Sequence, residues 1–575
     1  MRMLMLTLML VATPLQADTL ESVIDDYWAY YLDEFPLAAK RAGVKTGSDR
    51  LASVDDESRS RRLQSERGFL DRLRRLDSDA WDDNERVNGE LLEWILEDSI
   101  GAYELDLSRI PFNTFWGFFM AAISASDGIA TNEAQHYEDY IARLNDIPRY
   151  FDENVENMRR GAADGFVLPQ IVIDGVLPAV RAQVKDSADQ SSFFSPFENI
   201  NDRIPAGERE SLRSRGRKAI ENSVMPAFAA VAEFLENEYT ASETLGAEAL
   251  PDGKAFYAHQ IRRYTTLTDT SSDEIHAIGL KEVARIRAEM EAIIERVDFD
   301  GDFKAFTEFM RTDPRFYATS AEELLKETAW IAKRIDHVMP GFFATLPRQS
   351  YGVVAVPDEI APNYTTGAYR GAPPGGSRGG EYWVNTYALD QRPLYEIAAL
   401  TLHEAVPGHH HQSALSLEIP GAPDFRKSLY FSAYGEGWAL YAEFLGEEMG
   451  IYRDDYERFG RLSYEMWRAC RLVIDTGLHA KGWSREKAQA FLADNTSLSK
   501  GNIRAEVDRY ISWPGQALSY KLGEIKIREL RAYAEDALGD RFDIRTFHDA
   551  LLVNGAMPLA MLERQVIRYV ERELE

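Results

Sequence analysis

Apolar residues recur at steps of three and four along most of this chain, the spacing that places them on one face of a helix. The pattern predicts helices over residues 18–32, 56–76, 84–105, 133–160 and 320–338. A further helix is predicted to begin at Ser271, because Ser271 and Glu274 form the capping-box pattern of a helix start. The same period returns from Leu394 to the C-terminus. The chain is therefore expected to be mainly α-helical.

One region breaks the helical period. Two β-like runs, 351–356 and 381–386, flank a loop rich in glycine and proline at 371–380. We expect a small sheet that lines a cleft and offers the edge of its second run to an extended ligand, with Tyr382 and Asn385 as candidate ligand-binding residues. A hairpin without a binding role is the alternative.

Composition and charge narrow the class of protein. No repeat and no long low-complexity linker divides the chain, so residues 18–575 are predicted to form one large domain. Of the 575 residues, 45% are hydrophobic and 28% are charged, as in ordinary globular proteins. The net charge of -29 disfavours nucleic acid and anionic lipid as partners. The single cysteine, Cys470, excludes an internal disulfide and a cysteine-rich metal site.

The first seventeen residues resemble a secretory leader. Arg2 supplies a positive charge, residues 3–11 form a short apolar run, and the small residue Ala17 precedes a polar stretch. This arrangement predicts a signal peptide over residues 1–17 and a periplasmic or secreted protein. A buried N-terminal helix is the alternative. No cysteine lies near the predicted cut, and no later segment is long and apolar enough for a membrane span, so neither a lipid anchor nor membrane insertion is expected.

The candidate chemistry centres on the segment His403-Glu404-Ala405-Val406-Pro407-Gly408-His409-His410-His411-Gln412. Two histidines four apart on a helix can hold one zinc ion. Here His403 and His409 are six apart, which turns them roughly 120° away from each other on a regular helix. His403 and His410 share a face but lie roughly 10.5 Å apart along the axis. Neither pair can bind one ion from an undistorted helix.

Pro407 and Gly408 supply a distortion, because proline collides with the carbonyl of the fourth residue before it and glycine adopts angles that other residues avoid. We predict a local bulge in the helix that brings His409 into reach of the ion. His410 is the reserve ligand, and His411 is expected behind the ligands or facing solvent. A helix end with exposed histidines is the alternative interpretation.

A carboxylate further along the chain completes a candidate metal site. Glu436 lies on a different face of its predicted helix from the apolar stripe, and its glycine neighbours, Gly435 and Gly437, allow close packing against another element. Together with His403 and His409 it would form a His₂Glu set for one Zn²⁺ with a position open to water. Glu443 lies about 10.5 Å further along the helix, too far to share the ion. It is expected either near the ligands or as a solvated charge.

Two later segments carry further candidates. Arg471, Asp475 and His479 share one face of a helix, where Asp475 would orient a ligand histidine and His479 would donate to a substrate oxygen. A structural salt-bridge ladder is the alternative. The run that begins at Arg509 and Tyr510 ends near Tyr520, whose hydroxyl could stabilise an oxyanion, while Arg509 could hold a peptide carboxylate. Structural roles are the alternative for each of these residues.

Four motifs in this order resemble the bacterial domain of unknown function family 885 (DUF885): His-Glu-x-x-Pro-Gly-His-His-x-Gln, Gly-Glu-Gly-Trp-Ala-Leu-Tyr, Asp-Thr-Gly-Leu-His and Pro-Gly-Gln-Ala-Leu-Ser-Tyr-Lys-Leu-Gly. That family is similar in turn to the helix-rich zinc peptidases, such as the angiotensin-converting-enzyme-like peptidases and thermostable carboxypeptidases. The resemblance implies a zincin-like fold of two helical lobes, roughly 18–250 and 255–575, around a deep cleft. It also implies the reaction class, zinc-dependent hydrolysis of peptides, but it does not identify a substrate.

These observations predict an exported zinc peptidase that acts on short peptides. Zinc would lower the pKa of a bound water toward ~7, Glu404 would take the proton from that water, and Tyr520 and His479 would stabilise the oxyanion. Another zinc hydrolase, such as an amidase or esterase, is one alternative. A periplasmic protein that binds metal or peptide without catalysis is the other.

Overall fold

A computed structural model describes residues 18–44, 49–123, 132–358, 360–372 and 378–575. The predicted leader, 1–17, and part of the predicted glycine- and proline-rich loop lie outside the described residues. Helices before the sheet are α1 (Leu20–Glu34), α2 (Pro36–Arg41), α3 (Asp56–Arg74), α4 (Asp83–Glu104), α5 (Phe118–Ile123), α6 (Ala134–Asp164), α7 (Gln170–Arg181), α8 (Ser195–Glu198), α9 (Ala206–Ala219), α10 (Met225–Asn237), α11 (Gly253–Thr265), α12 (Ser272–Arg296), α13 (Phe303–Thr312) and α14 (Ala321–Val338).

Helices after the sheet are α15 (Leu394–Glu404), α16 (His409–Ser416), α17 (Asp424–Lys427), α18 (Ser432–Glu448), α19 (Asp455–Lys481), α20 (Arg485–Asn495), α21 (Lys500–Ser512), α22 (Ser519–Leu538), α23 (Ile544–Leu552) and α24 (Leu559–Leu574). The mainly α class predicted from the apolar spacing is thus confirmed. Within the described ranges, no helix combines the length and the apolarity needed to cross a membrane.

The predicted start of α12 is observed with its capping box complete. The Ser271 side chain accepts a hydrogen bond from the backbone N–H of Glu274, and the Glu274 carboxylate accepts one from the backbone N–H of Ser271 at 2.8 Å. Both contacts satisfy N–H groups that have no partner within the helix, and one such cap stabilises a helix by about 1 kcal/mol. Local sequence therefore sets this helix boundary.

Two large hydrophobic cores divide the fold, but not at the predicted lobe boundary. The first core joins residues of α6, α7, α9 and α10 to residues of α12, α13 and α19–α21. The second joins α1, α3 and α4 to α14, the sheet, α15, α18 and α22–α24. Helices near the N-terminus thus pack with the last third of the chain, and a cut near residue 250 does not separate the cores. The cores form by burial of apolar residues that lie far apart in the chain, and the spacing of residues along the sequence does not predict which of them meet.

Helix α19 lies between the two cores. Its Met466 belongs to the first core and its Tyr464 to the second, and nearly every residue from Phe459 to His479 is buried. Helix α12 packs closely against it, because a Cβ on Gly279 would lie 2.7 Å from the Leu472 side chain. This central helix carries Arg471, Asp475 and His479 into the interior, and their packing is described below.

The sheet has three strands: β1 (Tyr351–Ala355), β2 (Gly367–Arg370) and β3 (Gly380–Val384). Strand β3 lies in the middle, parallel to β1 and antiparallel to β2. The prediction that the 381–386 run offers a free edge is therefore wrong, because both sides of β3 are already paired. Strand β2, whose Tyr369 contacts Glu404 of the histidine motif, is an edge strand instead.

Candidate metal centre

The histidine motif folds as two helices joined by a tight turn. Helix α15 ends at Glu404, the Val406–Pro407 peptide is cis, and α16 begins at His409. The predicted bulge within one continuous helix is therefore wrong. Pro407 has no N–H with which to continue α15, so the helix stops instead. At Gly408 a Cβ would lie 1.8 Å from the carbonyl oxygen of His403, so only glycine allows the turn to pass this close to α15.

This turn brings the three predicted metal ligands together. Nε2 of His403 lies 3.6 Å from Oε2 of Glu436, and Nε2 of His409 lies 3.5 Å from the same oxygen. One donor atom from each residue falls within 4.8 Å of the other two. Donors held at 2.0–2.1 Å from a tetrahedral zinc ion are about 3.4 Å apart, so the spacing and chemistry of this set fit zinc.

Close helix packing places Glu436 beside the two histidines. A Cβ on Gly437 would lie 2.5 Å from the Cα of Gly523, so α18 and α22 meet backbone to backbone next to Glu436. The indole N–H of Trp438 donates to the carbonyl oxygen of Pro407 at 2.7 Å and ties α18 to the histidine turn. The prediction that the glycine beside Glu436 permits a close approach is confirmed for Gly437.

Tyr430 also contacts the candidate centre, although the sequence pattern did not single it out. Its hydroxyl donates to Oε1 of Glu436 at 3.2 Å, while the residue as a whole is 60% exposed. Tyr430 precedes α18 in an irregular segment, so no helical spacing linked it to Glu436. The side chains of His409 and Glu436 keep 16% and 15% of their surface exposed, so a ligand can approach the centre from this side.

Charges at the centre control the protonation of His403. Burial by itself lowers the pKa of this imidazole, but its contacts with Glu436 and Glu443 outweigh burial and raise the pKa to about 10. Burial likewise opposes ionisation of Glu436, and its contacts with His403 and His409 reverse that effect and hold its pKa well below the ordinary value. The carboxylates of Glu436 and Glu443 therefore favour a positive charge at this centre.

Glu443, rather than Asp475, orients a candidate ligand histidine. Oε1 of Glu443 lies 2.7 Å from Nδ1 of His403, and the carboxylate is buried. The interpretation of Glu443 as a solvated charge is thus wrong. The predicted role of Asp475 is also wrong, because its carboxylate accepts hydrogen bonds from the Tyr257 hydroxyl at 2.7 Å and from the backbone N–H of Gly515. Asp475 thereby fixes the start of the turn before α22.

Glu404 stands at the edge of the sheet. The backbone N–H of Tyr369 in β2 donates to Oε2 of Glu404 at 2.7 Å. This hydrogen bond holds one carboxylate oxygen of Glu404 and fixes the side chain against the edge strand. Glu404 also follows His403 directly in the chain, so the same carboxylate links strand β2 to the candidate ligand His403.

The other two histidines of the motif point away from the ligands. His410, the reserve candidate, contacts the Tyr369 hydroxyl through Nδ1 and the carbonyl oxygen of Gln349 through Nε2, both at 3.1 Å. His411 is fully buried against Phe343, with ring centroids 4.6 Å apart, so the expectation of a solvent-facing side chain is wrong. A new helix starting at His409 turns its next two side chains to other faces.

His479 does not have a free nitrogen for a substrate. Its Nδ1 accepts from the backbone N–H of Ala247 at 3.2 Å, and its Nε2 contacts the carbonyl oxygen of Tyr510 at 2.9 Å. The predicted role as an oxyanion donor is therefore wrong. His479 also lines an apolar cavity of about 100 Å³ beside Trp513. None of the three candidate metal ligands lines this cavity.

Arg471, Arg509 and Tyr510 form a buried network around Tyr520. The Tyr520 hydroxyl receives hydrogen bonds from Arg509 at 3.2 Å and from Gln516 at 3.4 Å. Because two donors occupy its oxygen, the hydroxyl proton is free to point elsewhere. The guanidinium of Arg471 lies 4.3 Å from the centre of the Tyr520 ring, and it also donates to the Tyr510 hydroxyl. Tyr510 thus supports the network from the interior.

Tyr382 in β3 and Asn385 directly after it, the two candidate ligand-binding residues, have structural roles. Tyr382 is fully buried in the middle strand. The Asn385 side chain donates to the carbonyl oxygens of Ala361, Tyr364 and Thr365 and accepts from the backbone N–H of Tyr387. The prediction that these two residues bind a ligand is wrong. The amide of Asn385 is hydrogen-bonded to the backbone beside the sheet, and Tyr382 lies in the core.

The family of the chain follows from a comparison with known sequences. The profile of a family described as bacterial protein of unknown function (DUF885) matches residues 36–566. The chain is a member of the DUF885 family. No protein with a curated description matches this DUF885 protein.

Two solved structures share the fold of this DUF885 protein. One is a candidate lipoprotein from Colwellia psychrerythraea, with 29% sequence identity and a TM-score of 0.91 over 96% of this chain and 99% of that one. The other is a candidate lipoprotein of unknown function from Shewanella oneidensis, with 17% identity and a TM-score of 0.74 over 96% of this chain and 100% of that one. The second likeness concerns the fold alone.

Proposed function

We propose that this DUF885 protein is an exported zinc-dependent peptidase that hydrolyses short peptides. The observation that carries the proposal is the convergence of His403, His409 and Glu436, with donor spacings that suit one zinc ion. Two histidines and a glutamate are a ligand set typical of catalytic zinc sites, because they leave a coordination position open. The buried carboxylate of Glu443 behind His403 is the kind of partner that orients a ligand imidazole.

The chain's own groups supply the remaining roles. Zinc, when bound, would lower the pKa of water at the site toward ~7. Glu404 would accept the proton of the attacking water and pass it to the leaving amine, while the backbone N–H of Tyr369 holds its other oxygen. Tyr520 would donate its free hydroxyl proton to the oxygen at which negative charge develops. The edge of β2 replaces the predicted 381–386 run as the strand along which the peptide would lie.

Export is supported by two observations. The first seventeen residues have the charge, apolar run and small terminal residue of a secretory leader. The 29%-identical structure from Colwellia psychrerythraea is described as a candidate lipoprotein, a class of exported protein. We infer a periplasmic or secreted location for the mature chain.

Metal analysis and product analysis test the proposal together. We expect one zinc ion per chain and, by mass spectrometry, cleavage of peptides in a mixed library. Glu404→Gln should retain zinc and lose about 10²–10⁴-fold in turnover. Tyr520→Phe should lose about 10²–10³-fold, also with zinc retained. Glu448→Gln, an exposed position on α18, is the matched control. Full activity in Glu404→Gln, or cleavage of esters or acyl amides but not of peptides, would contradict the proposal.

A further inference from the structure

The two carboxylate oxygens of Glu436 have different partners. Oε2 lies 3.6 Å from Nε2 of His403 and 3.5 Å from Nε2 of His409. Oε1 instead accepts the hydrogen bond from the Tyr430 hydroxyl at 3.2 Å. A tyrosine hydroxyl keeps its proton at neutral pH, so Tyr430 acts as the donor. One oxygen therefore faces the two candidate histidine ligands, and the other is occupied by Tyr430.

The Tyr430 ring lies directly on the backbone of α18. A Cβ on Gly435 would lie 2.5 Å from Cε2 of this ring and 2.8 Å from its hydroxyl oxygen, so only glycine allows the ring to come this close. The next residue, Phe431, is buried, and its ring centroid lies 5.0 Å from that of Trp94. The hydroxyl of an exposed tyrosine thus reaches Glu436 from a segment that is anchored in the core.

The partner of Oε1 affects how Glu436 can bind a metal ion. A carboxylate binds an ion through one oxygen or through both. A catalytic zinc site has three protein ligands and one position for water or substrate, and a second oxygen from Glu436 would compete for that position. Turning Oε1 toward the ion would break a hydrogen bond to a charged acceptor, which is stronger than one between neutral groups. The Tyr430 hydroxyl therefore opposes binding through both oxygens.

We propose that Tyr430 is a positioning residue that restricts Glu436 to one metal-binding oxygen and so keeps a coordination position open. This inference rests on the metal centre of the proposed function and adds the residue that controls access to the ion. Gly435 takes part because it leaves room for the Tyr430 ring. The two glycines around Glu436 thus serve different contacts, Gly435 the ring of Tyr430 and Gly437 the backbone of α22.

The test measures the open position without using turnover. The full chain is loaded with Co²⁺, whose visible absorption reports its ligands and geometry, and is titrated with azide, an anion that fills one coordination position. In Tyr430→Phe, which removes only the hydroxyl, we expect azide affinity to fall by about 10–10²-fold, the effect of one hydrogen bond to a charged group. Zinc affinity, measured by chelator competition, should not fall, because the freed Oε1 becomes a further ligand.

A second variant and a control accompany this measurement. Gly435→Ala displaces the Tyr430 ring and should also lower azide affinity. Combined with Tyr430→Phe it should lower that affinity no further, because both changes remove the same hydrogen bond. Tyr533→Phe, at an exposed position of α22, removes a hydroxyl elsewhere and should keep the azide affinity of the parent.

Equal azide affinity in the parent and in Tyr430→Phe would overturn the proposal. A loss of zinc affinity by about 10–100-fold with azide affinity retained would also overturn it, because Tyr430 would then only orient a ligand. A parent that binds neither Co²⁺ nor Zn²⁺ would reject the metal centre and this inference together. A parent that binds zinc and azide but cleaves no peptide would reject only the peptidase, and the comparison of the variants would still decide the role of Tyr430.

Discussion

Oε1 of Glu443 lies 2.7 Å from Nδ1 of His403, on the side of the imidazole opposite to the nitrogen that faces Glu436. Glu436 and Glu443 are seven residues apart on α18, two turns along one face. A single histidine from α15 is thus held between two carboxylates of one helix. The inner carboxylate fixes which nitrogen carries the proton, and the outer one lies with the candidate metal ligands.

Removing the charge of Glu443 is expected to weaken zinc binding. Glu443→Gln keeps the size of the side chain but no longer balances the positive charge that develops on His403, so we expect zinc affinity to fall by about 10–100-fold. Competition with a chromophoric chelator measures the affinity. Glu448→Gln, on the exposed part of the same helix, should leave it unchanged. An unchanged affinity in Glu443→Gln would show that the contact with His403 does not support metal binding.

A methyl group at Gly408 is expected to separate the two histidine ligands. The Cβ of Gly408→Ala would overlap the carbonyl oxygen of His403, so the turn must move and carry His409 with it. We expect zinc affinity to fall by at least about 10-fold, the scale seen when ligand orientation is lost. Gly352→Ala in β1, where the nearest atom is 3.9 Å away, is the control. Zinc titration of both variants decides the matter, and equal affinities would refute the steric argument.

The contact between α18 and α22 should be sensitive to a single methyl group. In Gly437→Ala the new Cβ would meet the backbone of Gly523 at 2.5 Å, and we expect the free energy of unfolding to fall by about 1–3 kcal/mol. Gly68→Ala lies in α3 with no atom within 4 Å and should instead raise it by about 0.5–1 kcal/mol. Denaturant unfolding monitored by circular dichroism measures both. A Gly437→Ala protein as stable as the parent would contradict the tight packing.

Asp475 should make stability depend on pH. Burial raises its pKa from 3.8 to about 7, against the opposing effect of hydrogen bonds from Tyr257 and Gly515. The folded chain then holds this proton more tightly than the unfolded chain does. Its stabilising contribution is complete below about pH 4 and is lost as the pH rises through about 7. Asp475→Asn, which cannot titrate, should lose less stability than the parent over this range.

Thermal or denaturant unfolding at several pH values between about 4 and 8 tests this effect. The relevant quantity is the difference between the parent and Asp475→Asn, because other carboxyl groups, among them the half-buried Glu396 with a pKa raised to about 7, contribute to the slope of both proteins. Asp536→Asn, at an exposed position of α22, should have the slope of the parent. Parallel curves for the parent and Asp475→Asn would rule out a raised pKa at Asp475.

Residue types and local spacing predicted which side chains meet at the candidate metal centre. The two histidines, Glu436 and the glycine beside it were recognised because metal ligands and close backbone contacts each need particular residue types. The errors share another cause. Spacing along α19 placed Asp475 and His479 on one face of a helix, but it did not tell which element covers that face, and backbone groups of Ala247, Tyr510 and Gly515 occupy their polar atoms.

The amino-acid sequence by itself determined the helical period and the capping box at Ser271, because each depends on neighbours within a few positions. It also supplied the residue types of the candidate metal ligands, because the donor chemistry of a side chain does not depend on the fold. Only the tertiary structure decided that α15 stops at Glu404, that β3 lies in the middle of its sheet and that Glu443 stands behind His403. These relationships join residues far apart in the chain, and they depend on which surfaces bury one another when the two cores form.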